Sequence, residues 1–191
     1  PQAVARIRPA AERIVGAMLD SFANREQIDL VADLAYPIPA NVIAAMLGVP
    51  EADWTHLREL VDGIVVSRGI VRTPEMIAAG ERTIRAFDDY FTRMIAERRR
   101  APGDDLLSQI LIAEESGRRL SDAQIVAMVE TLFAAGHATT RSLIATGMLA
   151  LLRNPSELAR LREQPHLIAS AVEEMLRYDS PTQAPSPQIA T

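Results

Sequence analysis

The 191-residue chain contains no cysteine. It can therefore form no disulfide bond, and no thiolate of its own can bind a metal ion or a metal cluster. Long apolar runs are also missing, because uncharged apolar stretches such as residues 142–152 are too short to cross a bilayer. Residues 1–8 lack the apolar core of a secretory signal. We therefore expect a cytoplasmic protein with no membrane partner.

No part of the chain concentrates basic charge. The 20 basic and 25 acidic residues are spread along the sequence and give a net charge of −5. Phosphate binding needs a concentrated basic face, so we expect no nucleic-acid partner. The densest basic run, residues 98–100, closes a long helical pattern, where positive charge complements the exposed carbonyls of a helix end.

Apolar residues recur mostly at helical spacing, and the alternation typical of strands is scarce. With 48% hydrophobic residues the chain can bury one sizeable core, and neither a repeat nor a linker divides it. We therefore predict a mainly α protein with a single domain over residues 1–191. The eight predicted helical segments cover about residues 3–22, 31–47, 51–66, 74–100, 103–113, 121–152, 154 onward, and 165–178. A turn or small hairpin is expected at 114–120, and an extended tail after Tyr178.

Prolines and capping residues predict where several of these segments bend or end. Pro37 and Pro39 should kink the second segment, and Gly48 should stop it. Thr73 is placed to cap the fourth segment. Asn154 is placed to cap the seventh segment with its side chain.

The sixth segment is the longest. Ser121 and Gln124 form a capping-box pattern at its start, and the helical period persists to about residue 152. Such a helix is roughly 48 Å long, enough to cross the whole domain. It carries no formal charge between Thr131 and Thr140. We therefore expect this helix in the centre of the fold.

Small and hydroxyl-bearing residues lie midway along this helix. A glycine inside a helix costs about 0.5–1 kcal/mol relative to alanine, so Gly136 indicates that something approaches the backbone closely. That neighbour is either a second helix at a close crossing or a flat bound group, and the helix crossing is the commoner case. The hydroxyls of Thr139 and Thr140 either bond a carbonyl one turn back or face a cavity.

Two helical stretches, read together, resemble the cytochrome P-450 superfamily. Residues 135–140, Ala-Gly-His-Ala-Thr-Thr within the capped sixth segment, are similar to that family's long central helix. Residues 171–178 resemble its Glu-x-x-Arg helix, with Glu174 and Arg177 three positions apart on one face. An isolated pair of this kind carries little information, since exposed helices often contain one. Helical geometry favours Glu174 over Glu173, because Glu174 borders the apolar arc of this helix more closely.

The rest of the chain extends the resemblance. Residues 178–191 are similar to the family segment that enters a sheet and lines the substrate pocket, and residues 29–50 also follow the family's pattern. The likeness covers essentially the entire chain and implies a partial cytochrome P-450 fold of the soluble bacterial type. The family's early haem-clamping helix and its cysteine loop are missing, so we expect an internal fragment of a haem-thiolate monooxygenase.

The resemblance also implies roles for individual residues. Thr139 would assist oxygen activation, and Glu174 with Arg177 would brace the core as a buried pair completed by a further arginine. The residues expected to contact the haem are Ala135, Gly136, Thr140 and Gln188. Those expected in the substrate pocket are Phe133, Pro181, Thr182, Ala184 and Pro185.

Two substitutions depart from the family's pattern. Ala138 stands where the family usually has an acid, so a proton relay would run through Thr139 and water or by another route. Gln188 stands where related members place an arginine that pairs with a haem propionate, and an amide cannot neutralise a carboxylate. These changes fit either relaxed constraint in a degenerate copy or adaptation to unusual chemistry.

Histidine is a possible iron ligand, and His137 lies within the central stretch. The resemblance implies that a histidine here does not ligate the iron. His56 and His166 lie on separate predicted helices without metal-type spacing. We therefore expect no metal-ligating residue in this chain.

The parent family inserts one oxygen atom from O₂ into a small organic substrate, with electrons from a ferredoxin-type partner. Without a cysteine we expect the isolated chain to lack this activity and to bind haem weakly or not at all. The alternatives are a haem-less remnant that serves as a docking module, and an unrelated all-α regulatory bundle. Helices that normally pack on haem would expose apolar faces here, and oligomerisation could cover them.

Overall fold

The computed structural model describes residues 2–67, 73–114 and 120–182. Within these ranges the regular structure is helical, without a β-strand. The α-helices are α1 (Gln2–Ser21), α2 (Pro37–Met46), α3 (Trp54–Ser67), α4 (Pro74–Arg100), α5 (Leu106–Glu114), α6 (Asp122–Arg153), α7 (Pro155–Glu163) and α8 (Ile168–Tyr178). A π-helical turn (Leu30–Ala35) precedes α2, and 3-10 turns (Glu51–Asp53 and Pro165–Leu167) precede α3 and α8. The mainly α prediction is confirmed; the predicted hairpin falls mostly outside the described residues.

The predicted second segment is divided where its prolines stand. Pro37 and Pro39 have no backbone N–H, so the regular ladder cannot run through them. The Tyr36 N–H instead donates to the Val31 carbonyl at 2.9 Å, five residues back, which makes the first half a π-helical turn. Asp29 caps this turn through its side chain.

Local capping signals set most of the other helix ends. Thr73 caps α4 by accepting from the Met76 N–H at 3.2 Å. Ser121 and Gln124 form both bonds of the predicted capping box at the start of α6. The Asn154 prediction is wrong: its side chain donates to the Ala150 carbonyl at 2.8 Å and so closes α6 rather than capping α7.

Three aromatic rings join α4 to α6 in the centre of the core. Phe87 and Phe91 of α4 have ring centroids 4.7 Å apart, and Phe133 of α6 lies within 6.2 and 6.3 Å of them. All three side chains are buried. Residues from α2, α3 and α5 complete this apolar cluster, which packs along one side of the first half of α6.

Helix α6 connects the two ends of the fold. It packs on the π-helical turn, on α2, α3 and α4, and on α7 and α8. The Met175 side chain of α8 occupies the space beside Gly147 of α6, where a Cβ atom would lie 2.7 Å from Sδ. The central position predicted for this helix is therefore observed. No helix in the described ranges combines the length and apolarity needed to span a bilayer.

Candidate functional site

The stretch 135–140 lies midway along α6, and the helix runs through it without interruption. The Thr139 hydroxyl donates to the Ala135 carbonyl at 2.7 Å, four residues back. Of the two arrangements considered for this hydroxyl, the bond to the preceding turn is the one formed. A hydroxyl oxygen that donates in this way can still accept a hydrogen bond from a ligand or water.

Gly136 lies at the crossing of α6 with α2. A Cβ atom added at Gly136 would lie 3.0 Å from Cδ1 and 3.7 Å from Cγ1 of Ile43. That separation is tighter than ordinary van der Waals contact, so the crossing itself accounts for the missing side chain. The helix-crossing interpretation of Gly136 therefore has direct structural support, and its contact with haem stays a prediction.

The opposite side of the middle of α6 is exposed, and we call it the open face. Its exposed residues are Ala127, Met128, Thr131, Ala134 and Ala135. Their side chains are small or uncharged, so a flat group can approach the helix closely here. A cleft of about 710 Å³ runs beside this face between α5 and α6. Thr140, five positions from Ala135, projects about 140° away around the helix and cannot face the same flat group.

Phe133 does not lie on the open face. Its side chain is only 1% exposed and packs in the aromatic core between α4 and α6. Helical spacing turns it about 160° away from Ala135. The structure thus corrects the assignment of Phe133 to a substrate pocket: its ring stabilises the core.

Glu174 and Arg177 form the ion pair that their spacing predicts on α8. Arg177 donates through Nε at 2.8 Å and through Nη2 at 2.6 Å, one bond to each carboxylate oxygen. The side-chain hydrogen bond from Arg177 lowers the pKa of Glu174 below its ordinary value. The burial implied by the resemblance is absent, since the two side chains are 58% and 72% exposed. An exposed pair contributes little to stability.

Glu174 also borders a groove of about 520 Å³ between α6, α7 and α8. The groove is lined largely by apolar side chains, among them Leu151, Leu161, Leu167 and Met175. Large apolar side chains nearby are exposed to solvent. This end of the fold therefore presents an apolar surface that the described residues do not cover.

His137 is buried on the side of α6 that faces away from the open face. Its side chain is 3% exposed, and Nε2 lies 3.0 Å from the Tyr36 carbonyl oxygen. The Tyr36 ring meets the imidazole edge-on, with centroids 5.1 Å apart. Burial lowers the pKa of His137, against the opposing effect of the Tyr36 bond. A histidine held in this way is not presented to a bound metal on the open face.

Sequence reasoning missed the polar cluster around His137. The Tyr36 hydroxyl donates to Asp62 of α3, and Arg58 Nη1 donates to the Asn41 side chain at 2.6 Å. These partners are up to 101 residues apart, so no local periodicity connects them. The only signal was a histidine within an uncharged stretch of a central helix.

The remaining predicted residues lie after α8. Pro181 is partly buried and Thr182 is exposed in a turn, where the Thr182 N–H donates to the Ser180 hydroxyl at 3.3 Å. Their placement in a substrate pocket stays a prediction. Ala184, Pro185 and Gln188 lie outside the described residues.

Comparison with known proteins places this arrangement among enzymes of one family. The family model described as Cytochrome P450 matches residues 73–183. The chain is 38% identical to Cytochrome P450 CYP107DY1 of Priestia megaterium over 95% of its own length and 43% of that protein. It is 41% identical to Cytochrome P450 107B1 of Saccharopolyspora erythraea, with 92% of this chain and 42% of the relative covered.

Solved structures of related proteins share the fold of this chain. The chain matches P450BioI, solved in complex with an acyl carrier protein carrying hexadec-9Z-enoic acid, with a TM-score of 0.86 and 33% identity. That match covers 96% of this chain and 47% of the neighbour. The chain thus spans less than half the length of the relatives it matches.

Proposed function

Because the chain belongs to the cytochrome P450 family, we propose that the protein containing it is a haem-dependent monooxygenase that inserts one oxygen atom of O₂ into a small organic substrate. The observation that carries the proposal is the open face of α6, where small residues and one hydroxyl stand in the middle of the central helix. The electron donor in this proposal is a ferredoxin-type protein.

The open face fits a haem, whereas the iron ligand lies elsewhere. Ala135 presents only a methyl group there, and Thr139 is at the border of the face. The chain has no cysteine, and His137 is engaged with the Tyr36 carbonyl. Among the described residues, no group of three or more His, Asp and Glu is placed to hold a metal. In this proposal the thiolate ligand comes from a segment that these 191 residues do not include.

A bound haem supplies the redox chemistry that activates O₂. The chain's own residues would shape the space beside the haem and position water there. Ala135 gives the flat group close access to the helix, and Thr139 holds a hydroxyl whose lone pairs can accept a hydrogen bond while its hydrogen is kept by the Ala135 carbonyl. At Ala138 the chain has no carboxylate, so protons would be carried by water that the Thr139 hydroxyl positions by accepting a hydrogen bond from it.

The substrate in this proposal is an apolar molecule small enough to enter the cleft beside the open face. P450BioI was solved with a fatty acyl group delivered on an acyl carrier protein. The cleft beside the open face is lined by apolar side chains of α5 and α6, among them Leu106, Ile110 and Leu132. Apolar walls of this kind favour an apolar substrate. Pro181 and Thr182 would add contacts from the segment after α8.

Spectroscopy and a single hydroxyl deletion test the proposal. The reduced, CO-treated protein, expressed from its complete gene, should give the absorbance band of a thiolate-ligated haem, whereas the 191-residue chain alone should not. Thr139→Val keeps the shape and removes the hydroxyl, so product formed per reductant consumed should fall about tenfold, the factor for one hydrogen bond. Thr83→Val is the matched control, because Thr83 on α4 makes the same bond to a carbonyl four residues back.

The control should leave the product yield unchanged. A protein expressed from the complete gene that lacks the CO band would refute the proposed function. Equal product yields in Thr139→Val and the parent protein would remove Thr139 from the proposed mechanism.

A further inference from the structure

A buried polar cluster lies behind the open face and takes no part in the mechanism above. His137 of α6, Tyr36 at the junction before α2, and Asp62 of α3 meet there, and they bring three separate elements together. Polar groups are costly inside an apolar core unless they are hydrogen-bonded. The described contacts of this cluster satisfy that requirement across elements far apart in sequence.

The chemistry of the partner fixes the state of His137. A carbonyl oxygen can only accept, so Nε2 must carry the hydrogen in the 3.0 Å contact with Tyr36. In the neutral ring the lone pair is therefore on Nδ1, and a second proton would be added there. That proton would create a charge on a ring that is 3% exposed.

Helical geometry connects this bond to the open face. Positions 135 and 139 are each two residues from His137, so each projects about 160° away from it around α6. The bond from His137 to Tyr36 thus restrains α6 on the side opposite the open face. It does so at the same level along the helix as Ala135 and Thr139. Gly136 brings α2 close at the same level through Ile43, so rotation of α6 would break the bond and this contact together.

We propose that His137 is a positioning residue, which fixes the rotation of α6 through its bond to the Tyr36 carbonyl and so directs Ala135 and Thr139 toward the haem side. The part that concerns haem rests on the proposed function. The part that concerns α6 does not. A second consequence is that the held state of His137 loses stability in mildly acidic solution, because the released, solvated ring accepts a proton more readily than the buried one.

The charged groups around His137 support this direction. Burial is the largest influence and lowers the pKa of His137 below its ordinary value of 6.5. Arg141 on α6 and Arg58 on α3 lower it further, while the Tyr36 bond and Asp62 act against them. The released state binds more protons than the held state, so the held state has its full stability above pH 6.5 and loses stability as the pH falls below it.

Two substitutions distinguish the effect of the His137 hydrogen bond from the effect of its aromatic ring. His137→Gln retains an N–H donor of similar reach and cannot titrate, whereas His137→Phe retains an aromatic ring and has no donor. In the protein expressed from its complete gene, His137→Phe should accelerate amide exchange at residues 135–139 about tenfold, the factor for one lost hydrogen bond. His137→Gln should retain the protection of the parent protein. His166→Gln, on the exposed turn before α8, is the matched control and should change nothing.

The pH profile gives the second measurement. Exchange at 135–139 in the parent protein should accelerate relative to the intrinsic rate as the pH falls from 7 toward 5, and in His137→Gln this ratio should stay constant. The product yield per reductant should follow the same two profiles. A histidine that served only overall stability would change exchange throughout the core, and not selectively at residues 135–139.

The proposal fails if His137→Phe exchanges like the parent protein, or if His137→Gln retains the parent's pH profile. If the Phe protein does not fold, the pH profile of His137→Gln decides alone. Hydrogen exchange needs no oxygen chemistry, so a missing CO band beside the predicted exchange results would refute only the proposed function.

Discussion

At the scale of single residues, the glycines differ in what surrounds them. Gly48 has a φ of +74°, and a Cβ atom there would lie 2.5–2.8 Å from three atoms of the Asp105 side chain. Gly16, inside α1, has no other group within 4 Å of the equivalent position. The same substitution should therefore have opposite effects at these two sites.

Gly48→Ala should destabilise the chain by about 2–4 kcal/mol, because the left-handed backbone and the crowding against Asp105 both oppose a methyl group. Gly16→Ala should stabilise it by about 0.5–1 kcal/mol through helix propensity alone. Urea unfolding followed by circular dichroism measures both. A Gly48→Ala protein as stable as the parent would contradict this account of the turn.

Single residues also mark the limit of what the sequence predicts. The helix stop at Gly48 could be predicted because its cause is local, a left-handed backbone conformation just after α2. Phe133 was misassigned because the apolar sides of α6 look alike until α4 brings Phe87 and Phe91 against one of them. His137 could be noticed from the sequence, but its partner is 101 residues away.

At the scale of elements, helix ends follow from signals within four residues of each end. Thr73 and the Ser121–Gln124 pair were predicted for this reason and are observed. The prolines predicted a kink in the second segment, yet the π-helical form of its first half depends on which carbonyl the Tyr36 N–H reaches. Asn154 could cap either neighbour, and its bond to Ala150 decided between them.

One ion pair joins three helix ends. Arg98, near the end of α4, donates through Nε to Asp105 at 2.6 Å and through Nη2 to the Gly48 carbonyl at 2.9 Å. Asp105 also accepts from the Ser108 N–H at 2.7 Å and so caps α5. Its side chain is only 9% exposed.

Asp105→Ala should cost about 3–5 kcal/mol, because it leaves the Arg98 guanidinium partly buried without its partner and removes the cap of α5. Glu12→Ala, which breaks the exposed Arg8–Glu12 pair on α1, is the control and should change stability little. Chemical unfolding again provides the measurement. Equal losses in the two variants would mean that burial of the Asp105 pair has no energetic weight.

At the scale of the whole molecule, the two ends of α6 have different surroundings. The first half packs on the aromatic core along one side, while at the other end Leu152 of α6 and Ile168 and Val172 of α8 are exposed to solvent. Exposed apolar patches of this kind promote association. The oligomerisation expected from the sequence stays a prediction, and these residues are where it can be tested.

The 191-residue chain should self-associate in a concentration-dependent manner during size-exclusion chromatography. The double substitution Leu152→Lys and Ile168→Glu should shift it toward the monomer, since it places charges on the exposed apolar surface. Ile77→Glu, on an exposed apolar position of α4, is the control for a charge placed elsewhere. Association that is unchanged in the double variant would assign the contact to another surface.

The two hydrogen bonds of Arg98, to Asp105 and to the Gly48 carbonyl, limit which side chains position 98 can accept. The sequence contains 20 arginines and no lysine. A lysine at position 98 would preserve the formal charge, but a single ammonium group cannot reproduce the planar fork that spans Asp105 and the Gly48 carbonyl. Position 98 therefore requires a donor of this shape, and an exchange that preserves only the charge is not a neutral change here.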